Sequence, residues 1–264
     1  MRPWRPQDAA RRVICAAGLI AAAAMPARAE AAPAQAAYVG YVLGVHVFDL
    51  TLVVSLQPAG YRMAVSFRLV GLLGALWPAE GSTVVDGHFT DSRAMPQVMV
   101  SQGRYWGTSH VLNVDWKDRL PEVVQMIPPL EKDREPVPVR DQVNTMDTLS
   151  AVAEIMQEVA ASGRCDMTAR TYDGSRLSEL SARTVGQEVL KPADRSSFQG
   201  DALRCELTGR MIGGFVRSDD SAASRRPKVA TIWFARAKPD EPPIPVRMTF
   251  AQQGSPGAIA YLAR

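Results

Sequence analysis

Residues 47–70 read VFDLTLVVSLQPAGYRMAVSFRLV, and their alternation decides the fold class. From Val47 to Leu56 one parity holds Phe48, Leu50, Leu52, Val54 and Leu56, while the other includes Asp49, Thr51 and Ser55. From Tyr61 to Val70 one parity holds Tyr61, Met63, Val65, Phe67 and Leu69, and the other includes Arg62, Ser66 and Arg68. Successive side chains of a strand point to opposite faces, so apolar residues at a period of two describe a half-buried strand. Gln57-Pro58-Ala59-Gly60 lies between the two runs, which makes them a hairpin.

The pattern recurs along the chain. It returns at Val111–Trp116 (Leu112, Val114, Trp116) and at Val246–Phe250 (Val246, Met248, Phe250). Asp173-Gly174 is a turn between the runs Cys165–Tyr172 and Ser175–Thr184. Val229–Ala235 breaks the alternation, because Ile232, Trp233 and Phe234 put apolar bulk on both faces. That strand is expected to be buried on both faces, or packed by the helix within and another element outside. One segment has helical spacing instead. Leu149, Val152, Ile155, Met156 and Val159 form an apolar stripe, Asp147 or Thr148 caps its start, and Ser162-Gly163 ends it. Pro128 to Pro138 holds four prolines and five charges and reads as a loop. Asp219 to Pro227 is a second, polar loop.

Roughly ten strands with one apolar face each cannot be covered by a single short helix while they lie flat, and sheets of that width curl or split into layers. The expected fold is mainly β: a strongly curved antiparallel sheet, a half-barrel or near-closed barrel, wrapped round one amphipathic helix. A two-sheet sandwich is the alternative.

The N-terminus predicts a destination. Arg2, Arg5, Arg11 and Arg12 precede an apolar run from Val13 to Met25, and Ala27-Arg28-Ala29 follows as a small-x-small triplet. The run is shorter than the about 20 residues that a membrane-spanning helix needs. A basic start, short apolar core and small-residue exit describe a cleavable secretory signal over residues 1–29, with a single periplasmic domain over residues 30–264. An N-terminal anchor is the competing reading. Arg11-Arg12 leaves Sec and twin-arginine export both open, and Cys15 is not placed for lipid modification at a cleavage site.

Export changes the charge balance. The chain has 30 basic and 27 acidic residues. Residues 1–29 hold five arginines and one aspartate, which leaves 25 basic and 26 acidic residues, a net charge of −1. A nucleic-acid partner, which needs a basic footprint, loses its support. Two cysteines remain, Cys165 and Cys205, and an oxidising compartment favours a bridge between them. Both share the apolar parity of their strands: Cys165 with Met167 and Ala169, Cys205 with Leu203, Leu207 and Met211. They meet if the two strands are neighbours or if the sheet curls over on itself.

Several short motifs together resemble the bacterial exported proteins of the domain of unknown function 3108. They are Tyr41-Val42-Leu43-Gly44, the run from Val70 to Pro78, Asp147-Thr148-Leu149-Ser150, Tyr172-Asp173-Gly174-Ser175-Arg176 and Pro245-Val246-Arg247. The resemblance implies a periplasmic curled sheet similar to the half-barrels of lipoprotein carriers, and it carries no catalytic residues.

The residues themselves hold no catalytic constellation. His46, His88 and His110 are dispersed, and no HExxH, CxxC, EF-hand or nucleophile-elbow pattern occurs. Asp219-Asp220 reads as a solvated turn. The expectation is a non-enzyme without cofactor or metal. An outer-membrane barrel is disfavoured by 7% aromatic residues and an end in Tyr-Leu-Ala-Arg. After signal cleavage the chain is therefore not expected to span a membrane. Two functions remain: binding or carrying a lipid or other apolar envelope molecule, and serving as a scaffold for another envelope protein. Leu72, Leu73, Leu76 and Trp77, threaded with Gly71 and Gly74, are the candidate ligand-binding residues. They read either as a buried corner of the core or as an apolar lip over a cavity.

Overall fold

The computed structural model describes residues 33–218, 221–252 and 255–263. The expected export signal (residues 1–29), the Asp219-Asp220 pair and Arg264 lie outside them. Strands β1 (Ala34–Val42), β2 (Val45–Gln57) and β3 (Gly60–Leu69) run as a meander. A six-residue helix, α1 (Gly71–Leu76), precedes β4 (Ala79–Thr90), β5 (Arg93–Tyr105), β6 (Thr108–Lys117) and β7 (Leu120–Ile127). Helices α2 (Val139–Gln142) and α3 (Thr148–Ser162) follow. The chain then builds β8 (Met167–Tyr172), β9 (Leu177–Leu190), β10 (Gly200–Gly213), α4 (Ser221–Ser224), β11 (Lys228–Ala235), β12 (Ile244–Gln252) and β13 (Ser255–Leu262).

All thirteen strands belong to one antiparallel sheet, a nearly closed barrel rather than a sandwich. β13 pairs with β1, Tyr38 opposite Leu262, so the two edges of the sheet are β7 and β8. Unpaired strand edges leave backbone groups without partners. Here a short extended segment bridges the seam: Asn144 N–H donates to the Arg119 carbonyl, and Met146 exchanges hydrogen bonds with Arg170 and Tyr172 of β8. Trp116 of β6 ties in the same segment, its Nε1 donating to the Thr145 carbonyl at 3.0 Å.

The meander from β1 to β7 sorts its turns to two ends. The two-residue turns Asp91-Ser92 and Asp118-Arg119 lie at one end with Pro58-Ala59. Leu43-Gly44, α1 and Trp106-Gly107 lie at the other, which we call the mouth.

The opposite end is plugged by α3. Asp147 caps the helix, accepting the Ser150 N–H at 2.8 Å, and Gly163 closes it in the left-handed conformation. Sequence periodicity gave α3 a one-sided stripe. The structure instead buries Ser150, Ala151, Ala153, Glu154, Ile155 and Met156, while Leu149, Val152 and Val159 stay partly buried. Strands surround the middle of the helix, so even its polar positions are enclosed. Those polar groups are satisfied in place: Tyr61 donates to Ser150 Oγ at 2.7 Å, Ser150 Oγ in turn donates to Asp147, and Glu154 accepts the Ala94 N–H at 2.8 Å. Burial pushes both carboxyls above the ordinary range, against the hydrogen bonds that pull them down.

Cys165 and Cys205 are disulfide-bonded. They are not on neighbouring strands. Cys165 lies just before β8, Cys205 lies on β10, and the bond passes over β9 at Thr184, whose hydroxyl accepts the Cys165 N–H. On β11, Ile232, Trp233 and Phe234 are all buried. Trp233 lies beneath the guanidinium groups of Arg247 (4.7 Å) and Arg204 (5.7 Å), and its Nε1 donates to Glu188.

Candidate ligand-binding groove

Inward residues of β2 to β6 fall into register rows that change character from plug to mouth. The first, next above Tyr61 and the plug, is Val54, Met63, Val85, Met99 and Val114, all buried. The next is Leu52, Val65, Thr83, Ser101 and Leu112, with Thr83 and Ser101 sharing a hydrogen bond of 2.9 Å. The third is Leu50, Phe67, Gly81, Gly103 and His110, all five only half-buried. Side chains shrink at β4 and β5 as the row number rises, so the interior is packed at one end and hollow at the other.

The hollow is a groove of about 890 Å³ lined by Tyr38, Leu50, Phe67, Gly81, Gly103 and His110 among others. The glycines are needed for the rings that lie on them. A Cβ on Gly81 would come within 3.0 Å of the Phe67 ring and 2.9 Å of the Tyr105 hydroxyl, and one on Gly103 within 3.0 Å of the Tyr105 ring. Phe67 and Tyr105 stack at 6.0 Å between centroids, and His110 meets Tyr105 edge-on at 5.0 Å. Tyr38 closes the floor, its hydroxyl donating to the Pro245 carbonyl at 2.8 Å. Burial raises the Tyr38 and Tyr105 hydroxyl pKa values, so both stay protonated at neutral pH. The groove therefore offers aromatic faces, aliphatic edges and a few neutral hydroxyls at its base. Outward-facing Arg68, Glu80 and Arg104 stand at its lip.

Leu72, Leu73, Leu76 and Trp77 do come together, on α1 at the mouth. They are not a buried corner, since no residue of α1 is buried. Nor do any of the four line the groove. A helix of six residues with neither acidic nor basic side chains simply projects past the strand ends. Alternation does not mark the groove residues themselves, because β4 and β5 carry glycine, serine and threonine there in place of leucine and valine. Their signal was Gly81 and Gly103 on the inward parity, opposite an aromatic residue of the next strand.

No protein-family model and no curated protein matches this chain. The fold has a solved counterpart. The crystal structure of a β-barrel-like protein of domain of unknown function 1849 from Brucella abortus aligns with a TM-score of 0.52. The alignment covers 89% of this chain and 97% of that one at 11% identity. At that identity the likeness shows the barrel-like fold and nothing finer. Among the described residues no helix is long and apolar enough to cross a membrane.

Proposed function

We propose that this is a non-enzymatic protein of the periplasm that takes an apolar or lipidic molecule into the mouth of its barrel. The carrying observation is the gradient along the barrel: a packed plug end and a hollow end walled by Tyr38, Leu50, Phe67 and His110. A ligand there gains by burying alkyl chain, worth about 0.8 kcal/mol per methylene, with few polar contacts to select a head group. The secretory features of residues 1–29 and the Cys165–Cys205 bond support export, and the short motifs shared with the domain of unknown function 3108 proteins support the same setting. The competing reading is a scaffold for another envelope protein. A filled interior would favour the scaffold, and the half-exposed third row favours the carrier.

The test is uptake of a fluorescent fatty acid in solution, together with mass spectrometry of lipids that co-purify. Leu50→Trp, which adds bulk in the third row where Leu50 lines the groove, should sharply reduce uptake. Trp77→Ala should leave uptake unchanged, because Trp77 does not line the groove. If the wild-type protein takes up no probe at micromolar concentration and carries no lipid, the carrier reading gives way to the scaffold.

A further inference from the structure

The mouth is where the molecule spends stability on exposed apolar side chains. Two of its two-residue turns, Leu43-Gly44 and Trp106-Gly107, have both residues at positive φ. So do Asp91-Ser92 and Asp118-Arg119 at the plug end. The backbone geometry is the same in all four, with the first residue at φ 49°, 51°, 49° and 50° for Leu43, Trp106, Asp91 and Asp118. That region suits asparagine, aspartate and glycine and is strained for bulky side chains. The plug end follows this preference. The mouth places leucine and tryptophan there, and they are 83% and 71% exposed. Each is thus strained in backbone and unburied in side chain, so neither serves the fold; such outliers point to function.

These tips join α1 into one crown. Val70 N–H donates to the Val47 carbonyl and Trp106 N–H to the Pro78 carbonyl, so α1 is tied to both β2 and the β5–β6 turn. Leu72 is 75% exposed, and Leu76, Trp77 and Val45 are also exposed. Trp106 shares a groove with Ile127 at the end of β7 and with Leu130 beyond it. Val70 to Pro78, Leu43 to Val45 and Tyr105 to Gly107 contain no charged residue. Set just behind them are Arg68, Arg104 and Arg195, against Asp49 and Glu80. Arg68 pairs with Asp49, while Arg104 and Arg195 have no carboxylate partner among the described residues. Arg195 lies over Tyr41, its guanidinium near Gly44.

We propose that the crown seats this protein on a lipid bilayer, with Leu43, Leu72, Leu76, Trp77 and Trp106 entering the interface and Arg104 and Arg195 meeting anionic headgroups. Tryptophan and leucine on uncharged tips backed by arginine match the chemistry of the headgroup boundary. The groove's lip residues Arg68, Glu80 and Arg104 flank α1 and the Trp106 turn, which puts the groove beside the crown and gives an alkyl chain a route between bilayer and barrel. That last point rests on the proposed function; the docking surface itself does not.

The experiment uses the full chain and mixed phosphatidylethanolamine–phosphatidylglycerol vesicles. The wild type should float with the vesicles, and brominated lipid should quench Trp77 and Trp106, the quenching falling in Trp77→Phe and Trp106→Phe. Leu43→Asn with Trp106→Asn should lower vesicle binding by about tenfold or more. The same pair should raise Tm, because asparagine suits the turn. Residues that serve the fold would give the opposite sign. Unquenched tip tryptophans, or undiminished binding by the asparagine variant, would overturn the proposal, as would equal binding to pure phosphatidylcholine for the part assigned to the arginines. Fatty-acid uptake in solution reports separately on the groove, so either reading can fail alone.

Discussion

Ile155→Ala tests the enclosed position of α3. The Ile155 side chain is 0% exposed and sits in a segment buried from Ser150 to Met156 save for Val152. Truncation removes three carbons, about 2.4 kcal/mol of transfer free energy at ~0.8 kcal/mol per group. The helix is held by its cap at Asp147 and by the Glu154–Ala94 hydrogen bond, so it cannot easily slide to fill the void. A cavity term then adds to the loss, and the total should fall near 3–4 kcal/mol, within the ~2–5 kcal/mol seen for such truncations. For a domain of this size that corresponds to a fall in Tm of roughly 6–16 °C. Guanidinium denaturation should show a lower midpoint with the slope unchanged. Val159→Ala, at the partly buried end of α3, should cost about 1 kcal/mol. If Ile155→Ala costs less than about 0.5 kcal/mol, α3 is not inside the barrel and the plug must be something else.

Met156→Ala, also fully buried, should behave like Ile155→Ala in the same assay. Thiol alkylation of the native protein should label neither Cys165 nor Cys205, and labelling without reduction would refute the bond. Replacing both cysteines by serine should cost roughly 4 kcal/mol in the chain-entropy model, since the bond closes a separation of 40 residues. Burial raises the folded pKa of Asp147 and of Glu154, so the folded state binds more protons than the unfolded one between the ordinary carboxylate pKa and the raised values. Stability should therefore fall as pH rises through that window, and Asp147→Asn with Glu154→Gln should flatten the slope; an unchanged slope in urea melts across acid pH would refute it. Tyr61→Phe should cost about 1–2 kcal/mol by removing the donor to Ser150, as read by the same melts.

The sequence by itself determined the class of this protein. Period-two alternation at Val47–Leu56 and Tyr61–Leu69 depends only on strand geometry and on one wet and one dry face, so the strands and their inward parity are legible in it. The same holds for α3, whose cap and terminal glycine act within a few residues. The need for a curled sheet follows from the number of apolar faces to be hidden. A near-closed barrel was within the sequence expectation, but the strand order and the seam were not, because the pairing of β1 with β13 joins residues more than 200 positions apart and the Asn144–Met146 segment has no periodicity. The helix's enclosure was hidden too: Ser150, Glu154 and Asp147 look solvent-facing until Tyr61, Ala94 and the surrounding strands supply their partners. Leu72, Leu73, Leu76 and Trp77 stood out as an apolar run, but a linear string does not say whether such a run turns inward or outward. Only the tertiary structure placed it on the rim, and only the register of β3 to β6 put Phe67, Gly81, Gly103 and His110 in one row. A groove is a property of neighbours across strands, and sequence spacing carries information along them.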